Sequence, residues 1–158
     1  MEQDDVLRQQ IATMRQSLLD EEILNNFYVT VEVLDKGNPS FAEEVMNIFL
    51  RDSTKMIATI EESIEVSPID VEKVKLILHR LLSGASSLGV NKVEIEVRKM
   101  MECVRAGDFE RAKNVFQNLK TEHETLRSRV EPYFQLQRQV GPVGTAERPQ
   151  VKSKGTMG

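Results

Sequence analysis

Between residues 71 and 90 apolar side chains return every three or four positions, at Val74, Ile77, Leu78, Leu81, Ala85 and Leu88. That is the spacing of a helix with one buried face. The same period appears at Val6, Leu7, Ile11, Met14 and Leu18, predicting a helix over 4–18. The stretch ILNNFYVTVEVLD is mixed, because Phe27, Val29, Val31 and Val33 alternate like a strand while Leu24, Phe27, Val31 and Leu34 fit a helix face. With no second strand candidate to pair with it, the helical reading is preferred. Gly37-Asn38-Pro39 reads as a turn, and Ser40 with Glu43 has the pattern of a capping box opening a long helix to about Val66. Ser67-Pro68 restarts the chain, with Pro68 suited to a first helical position. This fourth helix ends near Gly89, Asn91 with Glu94 opens a fifth that stops at Gly107, and Asp108 caps a sixth to about Gln139. Pro132 is where that last helix would bend. From 140 onward periodicity ceases, which predicts a disordered tail over 140–158 and one helical domain over 1–139. The expected fold is all-α, six helices, the last four an antiparallel bundle with the N-terminal helices packed on it.

The fourth helix carries the one irregularity in this pattern. At about 100° per residue, His79 lies roughly 150° from the centre of its apolar stripe, so it is predicted to face outward. Its neighbours three and four positions away are Lys75, Leu76, Leu82 and Ser83, with Ser86 one turn further. From Lys73 through Val93 there is no Asp or Glu, while Lys73, Lys75, Arg80 and Lys92 are present. Small residues admit close approach of another chain, exposed leucines offer apolar area, and the basic strip favours an anion. A free imidazole titrates at about 6.5, so its neutral form is a competent nucleophile near pH 7, suited to accepting a phosphoryl group from a docked protein. Most exposed helical histidines do nothing, however, and periodicity alone does not name a reaction.

Composition narrows the classes. The net charge of −4 leaves no broad basic surface for a nucleic acid. No apolar run approaches the roughly 18 residues of a membrane span, and MEQDDVLRQQ is too polar for a secretory signal. Cys103 is the single cysteine, which fits a reducing cytosolic or nuclear compartment. It sits among Met100, Met101 and Val104 and reads as a buried small hydrophobe. His123 falls in the sixth helix's stripe with Ala112, Phe116, Leu119, Leu126 and Val130, and reads as a packed, hydrogen-bonded histidine. Neither histidine follows a Glu by three residues, as di-iron bundles require, and no Gly-rich phosphate loop occurs. No cofactor or metal is therefore expected on the chain itself.

The stretch LHRLLSGASSLG resembles the acceptor motif of plant histidine-containing phosphotransfer proteins, His-Gln-x-Lys-Gly-Ser-Ser-Ser-Ser-x-Gly. LLDEEILNNF, GNPSFAEEVMNIFLRDSTKMI and AGDFERAKNVFQNLKTEHETLRSRVEPYFQLQRQ have counterparts in the same order, so the resemblance spans about residues 18 to 139. It implies six helices with His79 exposed midway along the fourth. It also implies a monomeric phosphorelay mediator of cytokinin-type signalling in cytoplasm and nucleus. A hybrid sensor kinase's receiver Asp would pass its phosphoryl group to His79, which would deliver it to a response regulator. Such a protein is a stoichiometric carrier rather than an enzyme, and the receiver supplies Mg²⁺. The receiver-docking and phosphoryl-environment residues would be Lys75, Leu76, Arg80, Leu82, Ser83 and Ser86.

The chain departs from the motif beside the acceptor. Leu82 stands at the Lys, Ser83 at the first Gly, Arg80 at the Gln, and Gly84 and Ala85 at two Ser positions; Ser86, Ser87 and Gly89 match. Loss of the Lys removes a charge-assisted hydrogen bond of about 1.5–3 kcal/mol, for which Lys75 or Arg80 could substitute. Two functions follow: a carrier acting through His79, or a pseudo-phosphotransfer protein that binds receivers and competes with active relatives. Retention of His79 favours the first, Leu82 and Ser83 the second, and the carrier is the preferred reading.

Overall fold

The computed structural model describes residues 2–34 and 39–147. Among them are six helices and no strand: α1 (Glu2–Asp20), α2 (Asn26–Val33), α3 (Pro39–Glu65), α4 (Val71–Leu88), α5 (Asn91–Arg105) and α6 (Phe109–Glu147). Helices α3 to α6 close a ring in which α3 packs on α4, α4 on α5, α5 on α6 and α6 on α3. Their short connections make successive neighbours antiparallel. α1 lies along α6, and α2 lies against α3 and α4. No helix of the described residues is long and apolar enough to cross a membrane.

The helix starts show where local patterns lose to tertiary contacts. Asp108 caps α6 as expected, its Oδ1 accepting from Arg111 N–H at 3.1 Å. Ser40, by contrast, lies within the first turn of α3, which begins at Pro39. Proline needs no N–H partner and has a helical φ, so it takes the first position. Glu43 bonds Arg138 of α6. Nor does Pro68 open α4: Asp70 caps it, accepting from Lys73 N–H at 3.1 Å. Val90, with no side-chain bond, precedes α5. Asn91 instead anchors the inter-helix corner, its N–H donating to Ile23 O at 3.1 Å. The turn expected at 37–39 falls largely outside the described residues.

α2 is a helix, as preferred, but its buried side chains are Tyr28, Val31 and Glu32, while Phe27 and Leu34 are exposed. The rotation follows from Glu32. Its carboxylate accepts from Arg15 Nε of α1 at 3.0 Å, from the Tyr133 hydroxyl and from Gln137 Nε2 at 3.4 Å, both on α6. A buried carboxylate demands such partners. Burial, first, and then the nearby Glu32 charge push the Tyr133 hydroxyl well above its ordinary pKa, so it remains a donor. α6 runs unbroken through Pro132 and beyond the expected end near Gln139 to Glu147. Val140 is still buried, about one turn after Gln137, so the packed stripe reaches one residue past the expected end. Residues 148–158 lie outside the description.

Candidate functional site

All six residues of the predicted α4 stripe, Val74, Ile77, Leu78, Leu81, Ala85 and Leu88, are buried. His79 is exposed on the opposite side, and neither ring nitrogen has a hydrogen-bond partner among the described residues. Leu76, one turn before it, is 53% exposed, and Ser83, one turn after, is exposed. The helix thus presents a free imidazole between an apolar and a small polar neighbour.

The small residues after His79 do not form one surface. Ser83 and Ser87 face solvent, and Ala85 is in the core. Gly84 is half-buried against α3: a Cβ there would lie 3.2 Å from the Phe49 ring. Gly84 is therefore a close-packing residue, and serine at that position would crowd Phe49. Ser86 turns toward α5 and donates to Glu94 Oε2 at 3.1 Å, the same oxygen that accepts from Arg98 Nη2 at 2.9 Å. Gly89 ends α4 in the left-handed region at φ 75°, and a Cβ there would meet Asn25 Oδ1 at 2.5 Å and Tyr28 N at 2.6 Å. Only glycine allows α2 to start so close to the end of α4.

Leu82 is half-buried and packs on the core rather than projecting beside His79. The two cations that could replace the motif Lys are both placed elsewhere. Lys75 lies 3.8 Å from Glu72, and Arg80 lines the groove between α3 and α4 with Asp52. Glu94 brings a carboxylate onto the α5 flank of α4, whose own acid, Glu72, stands ahead of the strip that begins at Lys73. Neither cation hydrogen-bonds the imidazole.

The α3–α4 groove, of about 220 Å³, adds residues that the sequence reading missed: Val45, Ile48 and Met56 beside Arg80, Gly84 and Ser87. Ile48 is 50% exposed and extends the apolar area next to the acceptor helix. A signal existed in Ile48 standing off the buried stripe of Ala42, Met46, Phe49 and Ile57, but its nearness to Arg80 depends on how α3 crosses α4.

The second histidine is built in the opposite way. His123 is 6% exposed, and its Nε2 lies 2.7 Å from Ser53 Oγ of α3. Burial, and secondarily the Arg127 charge, lower its pKa to about 4. It is a neutral brace between α3 and α6, closed to a docked partner. Cys103 is buried, and no group of acidic, His and Cys side chains among the described residues could hold a metal ion.

The family described as the Hpt domain matches residues 44–129. The chain is 39% identical over 144 residues to pseudo histidine-containing phosphotransfer protein 5 of Oryza sativa subsp. japonica, covering 90% of this chain and 95% of that protein. It is 35% identical over 125 residues to histidine-containing phosphotransfer protein 4 of Arabidopsis thaliana, covering 79% and 95%. The fold superposes on a histidine-containing phosphotransfer protein of Medicago truncatula with a TM-score of 0.81 at 21% identity, covering 87% of this chain and 95% of the other. With the exposed helical histidine, the two-glycine geometry and the bundle in place, this chain belongs to the Hpt-domain family of phosphorelay mediators.

Proposed function

We propose that the protein carries a phosphoryl group on His79 between receiver domains. A neutral ring nitrogen attacks phosphorus, the N–P bond forms as the P–O bond to the receiver aspartate breaks, and the carboxylate leaves as an anion. The second receiver reverses the step. In this reading the receiver's Mg²⁺ neutralises most of the charge on the transferring group. The carrier is not an enzyme, needs no cofactor of its own, acts as a monomer and serves cytokinin-type relays in cytoplasm and nucleus. The observation that supports this reading is the unpartnered, exposed His79 opposite a wholly buried stripe. Lys75, Leu76, Arg80, Ser83 and Ser86 form the docking surround in it, with Ile48 added.

A second reading, receiver binding without efficient transfer, is favoured by Leu82. Its half-buried side chain leaves the acceptor without the motif cation, while Lys75 lies 3.8 Å from Glu72 and Arg80 lines the α3–α4 groove. Three of the similar relatives bear names beginning "pseudo histidine-containing phosphotransfer protein". Incubation with a labelled phospho-receiver and Mg²⁺ separates the two. The carrier takes label that His79→Gln does not; absence of label on the native chain, with receiver binding intact, leaves the competitor.

A further inference from the structure

A second concave surface lies between α3 and α6, where no α4 residue contributes. Arg51 and Lys55, one turn apart on α3, and Arg127 of α6 converge on a groove of about 510 Å³. In a chain of net charge −4, three cations around one hollow need an explanation. The one carboxylate in the lining, Glu131, is engaged by Arg138 Nη2 at 3.3 Å and Gln135 Nε2 at 3.4 Å. Arg127 is oriented by the Thr54 hydroxyl, and Arg51 lies 3.3 Å from Asp52 on its own helix. Lys55 makes no ion pair among the described residues. Leu50 supplies an apolar wall, and Asn47 and Thr54 supply polar groups.

We propose that this groove binds a small organic anion carrying two or more phosphate groups on a hydroxylated body, such as a sugar bisphosphate. The cations come from two helices, so a single phosphate would meet only some of them. Guanidinium forks match phosphate geometry, and a volume of this order suits a small ligand better than a protein partner. The neighbouring Ser53–His123 pair makes the site observable. Arg127 contributes to holding the His123 pKa low, so an anion seated on Arg127 moves it upward.

The test titrates the full chain with fructose 1,6-bisphosphate, followed by calorimetry and by the imidazole signals of His123, with inorganic phosphate in a parallel arm. Saturable one-to-one binding is expected, together with an upward shift of the His123 titration. Arg127→Gln and Lys55→Gln should each weaken binding about tenfold, while Lys73→Gln and His79→Gln leave it unchanged. Thermal melts of each variant check the fold. Absence of saturation overturns the proposal. So does a response of equal size to inorganic phosphate, or one that Lys73→Gln reduces as much as Lys55→Gln does, because either marks diffuse attraction rather than a site.

Discussion

The two histidines of this chain occupy the two environments a helical bundle offers. His79 stands on the outer face of α4 with no partner, whereas His123 is sealed between α3 and α6 against Ser53. One is available for chemistry and contributes little to stability; the other is spent on stability and is closed to chemistry. Solvent access separates them, since both are the same side chain on regular helices. A bundle can thus place a nucleophile on any outward helix position at almost no structural cost, and the difficulty lies in supplying charge around it.

Crossing the two positions gives the largest effect. His79→Gln should abolish phosphoryl labelling while shifting stability by no more than about 0.5 kcal/mol, because an exposed, unpartnered side chain is removed. His123→Ala should do the reverse. It leaves a cavity and leaves Ser53 Oγ only its longer bond to Leu50 O, costs about 2–4 kcal/mol in urea unfolding, and spares labelling in the folded fraction. Labelling that survived His79→Gln would end the comparison.

Acid should expose the same contrast. His123 has a pKa of about 4 in the folded chain against an ordinary 6.5. Between those values the unfolded chain binds a proton that the folded one refuses. Its contribution is therefore full above pH 6.5 and falls toward pH 4, by on the order of 3 kcal/mol. Unfolding free energies measured across that window should flatten in His123→Gln relative to the native chain, and not in His79→Gln. An unchanged slope in His123→Gln would show that His123 is already protonated when folded.

Leu82→Lys should sharpen the active side of the comparison. Restoring a cation one turn from His79 should raise the transfer rate by about tenfold or more, the equivalent of one charge-assisted hydrogen bond, measured as label acquired per unit time. No gain would mean that the missing lysine is not what limits transfer. The smallest effect belongs to Gly84→Ser. Crowding Phe49 should cost about 1 kcal/mol in stability, with labelling unchanged. A loss of transfer there would place Gly84 in the docking surface.

Much of this was legible before any coordinates. The six buried residues of α4, the outward direction of His79, the buried character of Cys103 and His123 and the capping role of Asp108 all follow from periodicity and short-range chemistry. What misled was chemistry that looks local but is settled elsewhere. Ser40 and Asn91 have cap-like neighbours, yet α3 starts one residue earlier and Asn91 is pinned by Ile23. The small cluster after His79 reads as one surface, but its members point to solvent, core, α3 and α5 in turn.

By itself, then, the sequence determined which faces are apolar, where helices lie and which histidine is offered to a partner. These properties depend on residues within a few positions of each other and on the 3.6-residue period. Only the tertiary structure decided what surrounds that histidine: Phe49 against Gly84, α2 against Gly89, Glu94 beside Ser86 and Arg80 turned into the α3 groove. It alone assembled Arg51, Lys55 and Arg127 from segments 72 residues or more apart in the chain into one hollow. Such placements depend on how helices cross, and crossing is set by the fit of many side chains at once rather than by any run of adjacent residues.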